Sequence, residues 1–345
     1  DLMRIQRAAE ALGEMGPAAK ASVWALGRTT QHDDMWIRIA SLDALGQIGP
    51  GALGVAPAIR SCLYDPWVRV PISAAEALWR VTGEIKLPVD TLLRSLRDVD
   101  ESIRDTALQA LGRIGPTPRV IRILIRTLND VAEPPRRTAR QVLAEYGDVA
   151  LPALLEALGG RGRTQATRAG AALVVAKLGA KAAPAVPALQ DLFDRRQPPP
   201  VRDAAAYALG EIGAAAAPAV PALIAGLSDP ERVARTAALQ ALGRIGDVAA
   251  VDPIAALLES DETPVRVLAA EALGRFGPGA APAVPALVRA LGDLSPAVRR
   301  WSAEALGRVG AKARTTSALK ALTKLLDDRE RPVADAARAA LDRVR

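Results

Sequence analysis

The sequence predicts an all-α fold: an α-solenoid of about eleven stacked two-helix repeats, forming one array over residues 1–345. The first observation behind this is a phrase that returns as Ala11-Leu12-Gly13, Ala44-Leu45-Gly46, Ala110-Leu111-Gly112, Ala208-Leu209-Gly210, Ala241-Leu242-Gly243, Ala272-Leu273-Gly274 and Ala305-Leu306-Gly307. Degenerate copies fill the gaps at Ala77-Leu78-Trp79, Val142-Leu143-Ala144 and Val174-Val175-Ala176, and a last one stands at Ala340-Leu341, with steps of 31–35 residues. A fixed period in this range marks one supersecondary unit repeated. The second observation is composition: 50% of residues are hydrophobic but only 3% aromatic, so the core is Ala, Leu, Val and Ile on closely packed helices. The third is punctuation, with Pro and Gly recurring at set places in each unit.

The unit ending at Gly310 shows each element in turn. It opens with Ala281-Pro282-Ala283-Val284-Pro285-Ala286-Leu287, and the same words stand at Ala183 to Leu189 and Ala217 to Leu223. Proline is tolerated in a first helical turn, where its missing N–H has no intrahelical partner, so Pro187, Pro221 and Pro285 mark helix starts. Leu287, Val288 and Leu291 continue at helical spacing to a turn at Gly292-Asp293. Val298, Ser302, Ala303, Ala305, Leu306 and Val309 then share one face of a second helix, capped by Gly310. The repeat therefore reads as two antiparallel helices, the first unit lacking its first helix. Glycine inside the second helix, as at Gly307, costs about 1 kcal/mol relative to Ala, so its recurrence predicts a neighbouring helix too close for a side chain.

An Asp precedes an Arg by about six residues in Asp98/Arg104, Asp130/Arg136, Asp229/Arg235 and Asp293/Arg299. Asp261 and Arg266 are five apart; Asp194 and Arg202 are eight apart, with Gln197-Pro198-Pro199-Pro200 between them. The Asp is placed to cap the second helix and to meet an Arg at the repeat boundary. With these residues in view, the chain resembles HEAT repeats, in particular the short bacterial type of the bilin-lyase-like subfamily. There a first helix, an Asp, a Val-Arg and an Ala-Ala-x-Ala-Leu-Gly second helix follow in the same order. The resemblance covers nearly the whole chain. It implies a right-handed superhelix with second helices lining the concave side and Asp/Arg pairs forming a ladder. Arg38, Arg104, Arg136, Arg168, Arg202, Arg235, Arg266 and Arg299 are structural on that reading.

A single cysteine, Cys62, rules out a disulfide within the chain. The one histidine, His32, lies beside Asp33 and Asp34 but has no further Cys or His to complete a metal site, so it reads as a polar turn. No metal and no cofactor are expected. No run of about 18 uncharged apolar residues is present, so no transmembrane helix is expected. The N-terminus has no starting Met or signal-peptide layout, and neither end shows a polar capping repeat, so the chain reads as part of a longer polypeptide. The compartment stays open, with the cytoplasm favoured.

Two surfaces stand out. One before and three after the recurring Ala come Glu76/Arg80, Gln109/Arg113, Gln240/Arg244, Glu271/Arg275 and Glu304/Arg308, a mixed-charge stripe on which Tyr207 is an aromatic anchor for a partner. Intrahelical pairing explains the same stripe without any partner. The net charge of +7 is also uneven: Arg113 to Arg202 holds 15 Lys/Arg and 7 Asp/Glu, and the remainder is −1. Candidate contacts there are Arg113, Arg119, Arg122, Arg126, Arg137, Arg140, Arg161, Arg163, Arg195 and Arg196, with Arg244, Arg275 and Arg308 on the stripe. The segment also departs most from the repeat: Ala144 and Ala176 replace the interior Gly, Tyr146 stands in an Ile/Val place, and Arg140 in an Ala place. Drift with solvated turns is the plain explanation; an anionic partner is the functional one.

The leading expectation is a non-enzymatic protein-binding scaffold that uses the second-helix surface and the arginine-rich centre to hold a protein or peptide, acidic in character. The runner-up is electrostatic nucleic-acid binding through Arg113 to Arg202, against which stand the alternating charges and the scarcity of aromatics for stacking. The third is a HEAT enzyme, bilin-lyase-like or like an alkylpurine DNA glycosylase. No phosphate loop, Cys/His set or nucleophile beside a histidine supports it, and no lyase-specific residue can be matched. Trp301 near Glu304 is its nearest candidate and reads better as a packed residue.

Overall fold

The computed structural model describes residues 2–160 and 162–344. All secondary structure among them is helical. By contacts the chain divides into two units, Asp1–Ala150 and Leu151–Arg345. In the first, helices carrying the recurring phrase are α1 (Leu2–Glu14), α3 (Met35–Ile48), α5 (Arg69–Thr82), α7 (Glu101–Ile114) and α9 (Glu133–Glu145). They alternate with α2 (Val23–Thr29), α4 (Ala56–Ser61), α6 (Lys86–Ser95) and α8 (Pro118–Thr127), and each phrase helix packs on the next. In the second unit the leading helices are α10 (Leu151–Gly159), α12 (Val186–Leu192), α14 (Val220–Gly226), α16 (Val251–Ala256), α18 (Val284–Ala290) and α20 (Thr316–Lys324). Their partners are α11 (Gln165–Leu178), α13 (Pro199–Ile212), α15 (Arg232–Ile245), α17 (Thr263–Arg275), α19 (Pro296–Val309) and α21 (Arg331–Val344). Eleven helices with the phrase are thus present among the described residues.

Local chemistry accounts for these bounds. Pro187, Pro221 and Pro285 each occupy the second position of a seven-residue leading helix, as their spacing predicts. The phrase helices end where a glycine takes positive φ, +73° at Gly83 and +67° at Gly310, a conformation that an L side chain rarely adopts. Leu45, Leu78 and Leu111 of the first unit, and Leu209, Leu242, Leu273 and Leu306 of the second, are fully buried. The interior glycines are explained by proximity. A Cβ on Gly210 would lie 3.0 Å from Cα of Ala241, and one on Gly307 3.0 Å from Cα of Ala340.

The arginine ladder forms, with a different connection from the one the spacing predicts. Arg104 donates through Nη1 to the backbone carbonyls of Asp98 and Val99, not to the Asp98 carboxylate. Its Nε and Nη2 hold Asp130 of the next repeat at 2.9 and 2.8 Å. Arg38–Asp65, Arg266–Asp293 and Arg299–Asp328 repeat this bidentate grip, and Arg202–Asp229 and Arg235–Glu262 complete the set. The Asp is not the helix cap either. Its carboxylate accepts the N–H two residues on, as Asp293 does from Ser295, which fixes the turn before the helix starts. Burial alone would raise the Asp130 carboxyl, but the Arg104 guanidinium, the Ala132 N–H and the charge of Arg136 together outweigh it and leave the group below its ordinary value. Arg202 and Asp229 are the most buried pair, and loss of one partner in such a pair costs about 3–5 kcal/mol. Arg136 turns instead to Glu133 on its own helix, and Arg168 to Gln197 at 3.2 Å.

Two helical runs, Gln165–Leu192 and Pro199–Gly226, have the length and mean hydropathy of a membrane span, contrary to expectation. Each is broken by a glycine of positive φ, Gly179 at +58° and Gly213 at +71°. The longest α-helix within either run has 14 residues, about 21 Å, short of a hydrocarbon core of about 30 Å.

Candidate partner-binding surfaces

On the phrase helices of the first unit, Glu76 is clamped by two arginines. Arg113 donates Nε and Nη2 to it at 2.8 and 2.7 Å, and Arg80 Nη2 approaches at 2.6 Å. Beside it a recess of about 360 Å³ is lined by Asp43, Gln47, Ser73, Glu76, Arg80 and Arg113. Asp43 reaches solvent through the mouth of the recess, yet the enclosing walls push its carboxyl up to about 6. The charge of Glu76 adds to this, while Ser73, Arg80 and Arg113 oppose it. Sequence reasoning missed Asp43 and Gln47, although they stand one before and three after Ala44, the offsets that define the stripe.

In the second unit Tyr207 is 41% exposed on α13, and the Arg244 guanidinium of α15 lies 5.2 Å from its ring centre. Arg244 also meets Glu211 at 3.2 Å. Arg275 pairs with Glu271, and Arg308 with Glu304, each four residues apart. Exposed pairs of this kind contribute at most about 1 kcal/mol and leave the stripe free to exchange partners. Trp301 is half-buried with Arg300 4.9 Å from its ring centre, and Arg300 reaches Glu304 at 3.4 Å. His32 Nδ1 accepts the Asp34 N–H at 3.0 Å, so the ring belongs to the turn that leads into α3. Among the described residues no group of three or more His, Cys, Asp or Glu is placed to hold a metal ion.

The arginine-rich segment falls across the two units. Arg113, Arg119, Arg122, Arg126, Arg137 and Arg140 lie in the first, and Arg163, Arg195 and Arg196 in the second; Arg161 lies outside the described residues. Most of this charge is neutralised nearby. Arg119 pairs with Asp90, Arg140 with Glu133, and Arg163 with Glu156. Arg196 folds back on Asp194, and its guanidinium, with the Arg196 backbone N–H, draws that carboxyl down to about 2. Arg195 reaches the Ser228 carbonyl at 3.2 Å and Asp229 at 3.7 Å. Arg122 donates only to the Pro118 carbonyl at 3.3 Å, and neither it nor Arg126 nor Arg137 has an acidic partner among the described residues. Tyr146 serves packing: its hydroxyl donates to the carbonyls of Leu111 and Gly112, and burial pushes its pKa up to about 12.

A second signal missed in the sequence is the placement of aromatics. In the first unit Trp24, Trp36, Tyr64 and Trp67 are 67%, 46%, 69% and 58% exposed, in a chain only 3% aromatic. Four of the five tryptophans lie between positions 24 and 79, a clustering readable without coordinates.

With this repeat architecture established, the family comparison is direct. The family model for HEAT repeats matches residues 56–144, 186–273 and 254–342, and the chain belongs to that family. Among solved structures it is similar to Kap121p bound to Nup53p, with 15% identity, a TM-score of 0.72, and coverage of 93% of this chain and 41% of that one. It is also similar to the karyopherin Kap121p bound to the SUMO protease Ulp1p, with 16% identity, a TM-score of 0.72, and coverage of 94% and 41%. The chain therefore spans about two fifths of those proteins' length, and at such identity the likeness is one of fold. A search of curated proteins finds no match.

Proposed function

We propose that the chain is a non-enzymatic protein-binding scaffold. The observation that carries this is the exposure of Trp24, Trp36, Tyr64 and Trp67 on one unit of an aromatic-poor protein. Large aromatics are enriched where interfaces concentrate their binding energy, and exposing them to water has a cost that folding does not repay. The HEAT-repeat fold is typical of protein-binding scaffolds, and the similar Kap121p structures hold protein partners. Further contacts are assigned to the phrase-helix faces, through the Asp43 recess and the Tyr207–Arg244 stack, and to Arg122, Arg126 and Arg137. The repeat period continues across residue 150 with a step of 32 residues, inside the range seen elsewhere, which supports a single array as the working unit.

The test is capture on the immobilised full chain from lysate of the source cells, with and without nuclease, alongside a Trp24→Ala/Trp67→Ala variant. A defined protein should survive nuclease and moderate salt and be lost with the variant. Recovery that nuclease abolishes would give first place to nucleic acid, and undiminished recovery with the variant would remove the aromatics from the interface.

A further inference from the structure

The ladder has one interruption with a particular shape. Position 71 lies 33 residues after Arg38 and 33 before Arg104, where the repeat calls for the guanidinium, and it is occupied by Pro71. The acceptors that such a guanidinium would use have counterparts at the equivalent positions. In the intact rungs Arg38, Arg104, Arg235, Arg266 and Arg299 donate Nη1 to the carbonyls five and six residues back. The equivalent carbonyls here belong to Asp65 and Pro66. In the intact rung from Arg38 the carboxylate lies 27 residues on, at Asp65; here that position is Asp98. The Asp98 carboxylate is held in the usual turn, accepting the Asp100 N–H at 2.9 Å as Asp130 accepts that of Ala132, also at 2.9 Å. Unlike Asp65 and Asp130, it has no ion pair among the described residues.

A recess of about 390 Å³ opens at this place, lined by Asp65, Val68, Pro71, Thr91, Ser95 and Asp98. Tyr64 and Arg94 close one wall. The Arg94 guanidinium sits 5.3 Å from the Tyr64 ring centre and donates to the Leu63 carbonyl and the Thr91 hydroxyl, so it is occupied away from Asp98. Arg97 borders the rim, and Asp65 is already neutralised by Arg38, so the slot is not a general cation trap. Its selectivity would come from the chemistry of the rung, which by position offers the Asp65 and Pro66 carbonyls together with the unpaired Asp98 carboxylate, a set that suits a planar fork. The exposed Tyr64 is part of its lining.

We propose that the interrupted rung at Pro71 is a docking slot for an arginine side chain of a partner protein, which supplies in trans the guanidinium that Arg38 and Arg104 supply in the repeats on either side. This rests on the scaffold reading and names the chemistry of one contact. The experiment titrates isotopically labelled full chain with acetyl-Gly-Arg-Gly-amide, followed by NMR at the amides of residues 65–69 and 98–101. Citrulline and lysine peptides of the same form are the comparisons.

The arginine peptide should saturate these signals. The citrulline peptide, neutral but of like shape, and the Asp98→Asn protein should each bind at least about tenfold more weakly. Pro71→Arg should complete the rung in cis, raise Tm and abolish peptide binding. No saturable change with the arginine peptide, or equal binding of the citrulline or lysine peptide, would overturn the slot. So would undiminished binding to Asp98→Asn, which keeps the proposal testable if Pro71→Arg does not fold. Partner capture that persists while the arginine peptide fails would defeat the slot alone and leave the scaffold reading standing.

Discussion

Asp43 and Glu76 occupy matching places one repeat apart and have opposite environments. Glu76 is satisfied by two guanidinium groups, whereas Asp43 meets enclosure and the charge of Glu76, and its carboxyl rises to about 6. The consequence for stability has a definite sign. An unfolded Asp ionises near pH 4, so between about pH 4 and 6 the folded chain binds the proton more tightly. The stabilising contribution is therefore present at low pH and lost as pH rises to about 6. Asp43→Asn should raise Tm relative to the parent at pH 7 and leave it unchanged at pH 3.5, measured by circular dichroism melts. An equal shift at both pH values would show that packing, not ionisation, sets the effect.

At the scale of the element, the phrase helices are spaced by what their small residues permit. Gly210 brings α13 against Ala241 of α15, and a Cβ there meets backbone at 3.0 Å, which cannot swing aside as a flexible side chain could. Gly210→Val should cost about 1–3 kcal/mol through overpacking, seen as a lower urea midpoint. Gly213, which caps the same helix in open space, should resist substitution for another reason, its φ of +71°. The ladder is likewise an element-scale device. The Asp-to-Arg spacing in the sequence was legible and located the right residues. Their connection was not legible: Asp130, Asp229 and Asp293 are held by the arginine of the preceding repeat, while each arginine's own turn offers it backbone carbonyls and turns its carboxylate to a backbone N–H.

For the whole molecule the question is what a net charge of +7 can do. The excess lies between Arg113 and Arg202, but local acids neutralise most of it, leaving Arg122, Arg126 and Arg137 as the candidate arginines with no acidic partner. Each phosphate contact contributes roughly 0.9 to the slope of log K against log salt, so converting these three to Glu should flatten the slope for duplex DNA by about 3 at unchanged helix content. An unchanged slope would place any polyanion contact elsewhere.

The period, the two-helix unit, the small-residue core and the glycine caps were all written in near-neighbour chemistry. Periodicity and turn preference act within a few residues, so they can be read along a line. The Arg113 bond to Glu76, the raised carboxyl of Asp43 and the Arg119–Asp90 pair arise between residues about 30 positions apart. They came into view only in three dimensions, because charge and burial depend on which surfaces the stacking brings within a few ångströms.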